Sequence, residues 1–148
     1  MYLSGIEVCS VENGLGMRVT VFVSGCRHNC PACQNPQTHS FTYGKQYTNT
    51  LYETIRHYLN MPYISGLSLS GGDPLWQTPE DIEELIKLCD YTHSINKNVW
   101  VWTGFTFEEI MQYNKSNEEL SDEESARQKL LFHCDVLVDG RYVDEQRD

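Results

Sequence analysis

Three cysteines within eight residues form the segment of this chain that is best suited to chemistry. Cys26, Cys30 and Cys33 have a C-x3-C-x2-C spacing and follow an apolar run. Thiolates bind both zinc and iron–sulfur clusters, but a structural zinc site needs four protein ligands. Three thiolates on one loop leave a position at which a substrate could bind. The spacing therefore favours a reactive iron–sulfur centre, and the alternative is a zinc knuckle completed by His28, His39 or a fourth cysteine.

A second motif, Gly71-Gly72-Asp73-Pro74, suits a ligand site at the end of a strand. Glycines have no side chain and allow a ligand to approach the backbone closely. The carboxylate of Asp73 could bind a cationic amine. The same four residues are also a common turn out of a strand, so the motif alone does not separate the two interpretations.

Composition and charge disfavour several classes of function. The 148 residues, 40% of them hydrophobic, suit one domain over residues 1–148. A net charge of -10, from 11 Lys and Arg against 21 Asp and Glu, opposes a nucleic-acid surface. No apolar run approaches the roughly 20 residues of a membrane span, and the N-terminus lacks the features of a signal peptide. We therefore expect a cytoplasmic protein with no nucleic-acid or membrane partner.

Six cysteines in a chain of this kind indicate metal binding or redox chemistry rather than a disulfide framework. Cys9, Cys89 and Cys134 lie among apolar neighbours and are predicted to pack as small apolar side chains.

Short apolar segments alternate with helix-like segments along the chain, which is typical of a parallel α/β fold. The predicted strands are residues 6–10, 18–24, 66–70, 98–102 and 135–138. Helix starts are predicted at Thr50, Thr106 and Ser121, each three positions before a glutamate, and at Thr78-Pro79. The buried face of that last helix is predicted to carry Ile82, Leu85, Ile86 and Cys89.

Loops that leave the carboxyl ends of parallel strands share one edge of a sheet. This rule brings together the cysteine loop, Gly71–Asp73, Thr103–Gly104 and Asp139–Arg141. A chain of 148 residues is too short for eight βα units of about 30 residues each, which excludes a complete barrel. We therefore expect a single-domain α/β fold in the form of a partial (βα) barrel, open on one side.

Together the motifs resemble those of the radical S-adenosylmethionine (SAM) superfamily. Its members carry C-x3-C-x2-C after the first barrel strand and a Gly-Gly-Glu type motif after the second, here residues 26–33 and 71–73. Segments 22–36, 70–75, 102–106 and 138–141 are similar to one branch, the glycyl-radical-enzyme activases of anaerobic ribonucleoside-triphosphate reductases. The resemblance covers roughly residues 14–148 and implies a partial barrel of the radical SAM type.

The resemblance also implies cofactors, a reaction and partners. Cys26, Cys30 and Cys33 would bind three irons of a [4Fe-4S] cluster, and the fourth iron would bind the amino and carboxylate groups of SAM. Reductive cleavage of SAM would give methionine and a 5'-deoxyadenosyl radical, which would take a hydrogen from a glycine of the reductase. The implied electron donor is a flavodoxin or a ferredoxin.

The implied contacts with SAM are Ala32, Cys33, Gln34, Gly71, Gly72, Asp73, Thr103, Asp139 and Arg141. Ala32 and Gln34 match positions whose backbone lies near the adenine, and the Gly-Gly-Asp segment matches the one that holds the methionyl amine. Thr103 could reach the ribose or the carboxylate, or could only lead into the next helix. Asp139 and Arg141 resemble an acid-x-base pair of related activases, although residues 139–140 could also be only a turn.

Asp73 departs from the superfamily pattern, in which many members have glutamate, so its reach toward an amine is shorter by one methylene. Two other functions stay open on the sequence. One is a small radical SAM enzyme for a metabolite, of the carboxy-deazaguanine synthase kind, which is disfavoured because that branch has different loops around its cysteines. The other is a zinc-binding adaptor without catalytic activity.

Overall fold

One β-sheet and the helices packed on it form the fold. The structure is a computed structural model, which describes residues 1–27 and 40–140. The strands are β1 Tyr2–Ser10, β2 Arg18–Val23, β3 Lys45–Gln46, β4 Gly66–Gly71, β5 Asn98–Trp102 and β6 Val136–Val138. The helices are α1 Asn49–Leu59, α2 Pro79–Ser94, α3 Phe107–Met111 and α4 Asp122–Leu131, and 3-10 turns lie at Pro74–Trp76 and Asn117–Glu119. None of these helices is long and apolar enough to cross a membrane, within the ranges that the structure describes.

The six-stranded sheet has the order β3-β1-β2-β4-β5-β6 and mixed strand directions. β2, β4, β5 and β6 are parallel, which confirms the predicted α/β class. The sheet is mixed, because β1 is antiparallel to β2 and β3 is antiparallel to β1. The short connection at residues 11–17 allows only a hairpin between β1 and β2. β3 has two residues and was not predicted.

One face of the sheet forms the hydrophobic core with the helices. α1 contacts β2, and α2 contacts β4 and β5. The core residues that β2, β4 and β5 contribute are Val19, Val21, Val23, Leu67, Leu69, Val99 and Val101. The predicted buried face of α2, with Ile82, Leu85, Ile86 and Cys89, is confirmed. Since strand side chains alternate, the opposite face is polar and aromatic, and its Trp100 and Trp102 rings stack with centroids 5.5 Å apart.

Three of the four predicted helix starts are confirmed by their capping hydrogen bonds. Thr106 and Ser121 form reciprocal capping boxes with the glutamates three residues later. The hydroxyl of Thr78 accepts a hydrogen bond from the Asp81 amide at 3.2 Å, and Pro79 opens α2. These bonds satisfy amide groups that lack a partner in the first helical turn.

The predicted start of α1 at Thr50 was wrong, because Thr48 is the N-cap. The Thr48 hydroxyl accepts a hydrogen bond from the Leu51 amide at 3.4 Å. The preceding chain is extended, since the Tyr47 amide donates to the Met1 carbonyl at 2.8 Å directly after β3. The helix therefore begins as soon as this pairing ends.

Arg18 lies at the N-terminal edge of the sheet, at the start of β2, and its side chain is completely buried. Its acceptors are Ser68 Oγ at 2.7 Å, Leu67 O at 2.8 Å, Leu15 O at 3.0 Å and Asn98 O at 3.2 Å. The guanidinium carbon also lies 5.6 Å from the centroid of the Trp100 ring. Burial lowers the pKa of Arg18 to about 10, which leaves the group charged at neutral pH. We call this buried arginine with its acceptors the basal plug.

Candidate functional site

The carboxyl ends of β2, β4, β5 and β6 lie side by side, as the sequence predicted. The loops that leave these ends bring together Cys26, Gly72–Asp73, Thr103 and Asp139, and Gly71 is the last residue of β4. Cys30, Ala32, Cys33, Gln34 and Arg141 lie outside the described residues. We call this edge of the sheet the site edge.

A glycine turn places Cys26 just beyond the end of β2. Gly25 has a φ of +113°, and a Cβ on it would lie 2.1 Å from the ring of Phe41. Only glycine adopts this backbone without strain and also leaves room for the ring. Cys26 itself is half-buried.

The Gly-Gly-Asp segment lies directly against the backbone that leads to Cys26. The Gly72 amide donates to the Val23 carbonyl at 2.7 Å, and the Asp73 amide donates to the Gly25 carbonyl at 2.8 Å. Gly71 has a φ of +104°, and a Cβ on it would lie 2.4 Å from the Val23 carbonyl oxygen. The two motifs predicted from the sequence are therefore joined by main-chain hydrogen bonds.

Asp73 is completely buried, and its carboxylate joins the loop after β4 to the loop after β5. Oδ1 accepts hydrogen bonds from the Leu75 amide and the Thr103 hydroxyl, both at 2.9 Å. Oδ2 accepts from the Gly104 amide at 2.8 Å and lies 3.0 Å from the Thr103 hydroxyl. Thr103, 6% exposed, also accepts from the Phe105 amide at 3.2 Å. The structure thus places two predicted ligand residues in contact with each other.

Asp139 lies at the same edge, directly after β6, the last strand in the sheet order. Its Oδ2 accepts a hydrogen bond from the Phe107 amide at 2.7 Å, and the Gly140 amide donates to the Phe105 carbonyl at 3.0 Å. The Asp139 side chain is exposed. The loop after β6 is therefore attached to the start of α3, beside the loop that carries Thr103.

Trp76 lies between two arginines that the sequence did not mark as site residues. The guanidinium carbons of Arg27 and Arg127 lie 6.0 and 4.7 Å from centroids of the Trp76 ring system. Arg127 also donates from Nε to the Leu75 carbonyl at 3.1 Å and packs 4.6 Å from the Phe105 ring. Burial lowers the pKa of Arg127. The sequence signal for Arg27 was its position next to Cys26, whereas Arg127 comes from a distant helix.

Comparison with known proteins identifies the family. The family model for a 4Fe-4S single cluster domain matches residues 12–148. A protein of Enterobacteria phage T4, named anaerobic ribonucleoside-triphosphate reductase-activating protein, is 35% identical over 139 residues, which cover 93% of this chain and 78% of the relative. Proteins of the same name from Vibrio cholerae and Escherichia coli K12 are 38% and 34% identical over 142 residues, 93% of this chain and 82% of each relative. This chain belongs to the anaerobic ribonucleoside-triphosphate reductase-activating protein family.

Membership of this family supports the iron–sulfur interpretation of the cysteine motif over the zinc one, because the matching domain is a 4Fe-4S single cluster domain. The matched range includes the cysteine segment and the four parallel strand ends of the site edge. The described residues fit such a cluster, since Cys26 supplies a thiol at this edge. Gly25 and Gly71, both with positive φ, form the turns beside it.

The other three cysteines lie away from the site edge. Burial raises the pKa of the Cys89 thiol, and it raises the pKa of the Cys134 thiol to about 11. Both pack against the core, as predicted. Cys9 does not, because it is exposed on β1, with its sulfur 3.5 Å from the sulfur of Met17.

Proposed function

We propose that this chain activates an anaerobic ribonucleoside-triphosphate reductase by reductive cleavage of SAM. Cys26, Cys30 and Cys33 would hold the [4Fe-4S] cluster, as in the resemblance described above. When bound, the cluster would pass an electron to the SAM sulfonium, which yields methionine and a 5'-deoxyadenosyl radical that takes a hydrogen from a glycine of the reductase. The observation that carries the proposal is the main-chain contact between the Gly-Gly-Asp segment and the loop of Cys26, in a chain of this family.

The proposed work of the chain is to hold and orient SAM at the site edge. Gly71 and Gly72 are half-buried and have no side chains, so a methionyl amine could approach their backbone closely. Asp139 and Arg141 would contribute one acidic and one basic side chain. Ala32 and Gln34 would lie near the adenine. Thr103, after the end of β5, would lie near the ribose or the methionyl carboxylate.

The fold supports access for a large partner. We interpret residues 1–148 as one radical SAM domain whose four parallel strands form part of a barrel wall. Helices α1 and α2 lie on the core face, which leaves the polar and aromatic face as the barrel interior. A glycine loop of the reductase would enter from the open side. A flavodoxin or a ferredoxin would supply the electron.

The cluster is tested by anaerobic purification followed by iron, sulfide and zinc analysis. We expect about four iron and four sulfide per chain, and loss of both when Cys30 is replaced by alanine. The exposed Cys9→Ala serves as the matched control and should keep the cluster, because Cys9 lies away from the site edge. Stoichiometric zinc without sulfide would contradict the proposal.

The reaction is tested by adding SAM and a reductant to the reconstituted protein. Methionine and 5'-deoxyadenosine should form in equal amounts with the wild-type chain and with Cys9→Ala, and Cys30→Ala should form neither. Electron paramagnetic resonance of a mixture with an anaerobic reductase should then show a glycyl radical. SAM cleavage without that radical would favour a metabolite as substrate and would refute the partner.

A further inference from the structure

The Asp73 carboxylate accepts hydrogen bonds within the protein on both of its oxygens. Two main-chain amides and one hydroxyl donate to it at 2.8 to 3.0 Å, and the side chain has no exposed surface. A buried carboxylate is stable only when donors of this kind surround it. Because the side chain has no exposed surface, a ligand amine could reach the Asp73 carboxylate only if these donors or the residues that cover it moved.

The donors to Asp73 belong to a series of hydrogen bonds that crosses the site edge. On one side, the Asp73 amide donates to the Gly25 carbonyl, one residue before Cys26. The Gln77 side chain donates to both the Ser24 and the Asp73 carbonyls, at 3.0 and 3.1 Å. Asp73 is therefore fixed to the loop after β2 as well as to the loop after β5.

On the other side, the series continues to the loop after β6. The Thr103 amide donates to the Val138 carbonyl at 3.0 Å, and the Gly140 amide donates to the Phe105 carbonyl at 3.0 Å. Arg127 supports the middle of the series, because it donates to the Leu75 carbonyl while the Leu75 amide donates to Asp73. Four strand ends are thus connected: β2 to β4 through the main chain of Asp73, β4 to β5 through its carboxylate, and β5 to β6 through the Thr103 amide.

We propose that Asp73 is a positioning residue, which fixes the loop of Cys26 relative to the loops after β5 and β6 and makes no contact with the ligand amine. This inference rests on the proposed function for the identity of the ligand. The amine would instead meet the backbone of Gly71–Gly72, the part of the motif that has no side chain. The short aspartate suits this role, because its carboxylate reaches the amide two residues later in its own loop, at Leu75.

The fixing of the loops is tested without any cofactor activity, by amide hydrogen exchange resolved to single residues. Asp73→Asn keeps the shape of the side chain but replaces one acceptor oxygen with an NH2 group, so exchange should rise at least tenfold at the amide that this group faces, Gly104 or Leu75. Thr103→Val should raise it as well, whereas Thr103→Ser, which keeps the hydroxyl, should stay near wild type. Asp90→Asn, an exposed carboxylate on α2, is the matched control. Unchanged exchange at both Gly104 and Leu75 in Asp73→Asn would overturn the proposal.

The contact with the amine is tested by calorimetric binding of S-adenosylhomocysteine and its deamino analogue, which lacks only the amino group, to the anaerobically reconstituted protein. If Asp73 is a positioning residue, Asp73→Asn and Thr103→Val change both affinities by the same factor, so their ratio stays within about twofold of wild type. If Asp73 binds the amine, Asp73→Asn lowers the affinity for S-adenosylhomocysteine but not for the deamino analogue, so the ratio of the two affinities falls toward one. That second result would overturn the proposal.

The two tests separate failure of this inference from failure of the proposed function. If the wild-type chain holds no iron–sulfur cluster and binds neither compound, the proposed function fails. In that case amide exchange at Gly104 and Leu75 decides whether Asp73 fixes the loops. If the wild type binds S-adenosylhomocysteine and only the ratio changes in Asp73→Asn, the proposed function stands and the positioning role is refuted.

Discussion

The two ends of the same sheet each bury one charge, and they use it differently. At the N-terminal edge, the Arg18 guanidinium donates to carbonyl and hydroxyl oxygens of the sheet and of the β1–β2 hairpin. At the site edge, the Asp73 carboxylate accepts from amides and a hydroxyl of loops. Polar groups of the fold surround both charges, as burial of a charge requires. The basal plug therefore stabilises the sheet itself, whereas Asp73 sets the relative positions of loops.

The largest effect is expected for removal of the basal plug. Arg18→Ala empties a large buried volume and leaves carbonyls and the Ser68 hydroxyl without a donor, so the free energy of unfolding should fall by about 3 to 5 kcal/mol. Asp73→Asn should cost only about 1 to 2 kcal/mol, because it changes loop contacts and keeps the volume. Urea denaturation of the two variants measures the difference. Equal losses in the free energy of unfolding would contradict the proposed difference between the two edges.

A smaller effect is expected from crowding the basal plug. A Cβ on Gly66 would lie 2.1 Å from the Asn98 carbonyl oxygen and 2.7 Å from Arg18 Nη2. Gly66→Ala should therefore cost about 2 to 3 kcal/mol through displaced strands. Gly5→Ala is the matched control in β1, where a Cβ would meet nothing within 4 Å, and its change should stay within about 0.5 kcal/mol. Similar values for the two variants would show that the plug tolerates expansion.

The smallest effect is expected for the pH dependence of the free energy of unfolding in alkaline solution. It arises from Cys134, which precedes β6 at the same N-terminal end of the sheet. Burial raises the pKa of its thiol from 9.0 to about 11 in the folded protein, so the unfolded chain loses this proton first. The contribution to stability is complete below about pH 9 and is lost as pH rises through about 11. Denaturation at several pH values under reducing conditions should show a shallower decline for Cys134→Ala. An identical slope in both proteins would refute this assignment.

Much of the site edge was predictable because it depends on strand order and direction. Apolar segments near residues 18–24, 66–70 and 98–102 marked three strands, and the parallel α/β pattern implied that their following loops meet. The role of Gly25 was not predictable in this way, because it depends on Phe41, which lies well beyond it in the chain.

The remaining features depend on contacts between distant segments. A charged residue at the start of a strand, such as Arg18, ordinarily indicates an exposed edge, and its burial follows from acceptors on β4 and β5 that no local pattern reveals. Asp73 and Thr103 were both predicted to face a ligand, but whether they bond to each other depends on the spacing between two strand ends. Locally Thr50 is the better cap, because Glu53 follows three residues later, and the extended pairing of Tyr47 places the cap at Thr48 instead.

The amides of Gly72 and Asp73 donate hydrogen bonds to the carbonyls on either side of Ser24. These two bonds fix the number of residues that the turn can contain. Inserting or deleting one residue between Ser70 and Pro74 would shift the opposing backbone groups by roughly 3.3 Å, the rise of one strand residue. Donors and acceptors would then be out of register over the start of the cysteine loop. Natural variation at the turn should accordingly take the form of substitutions, with the number of residues held constant.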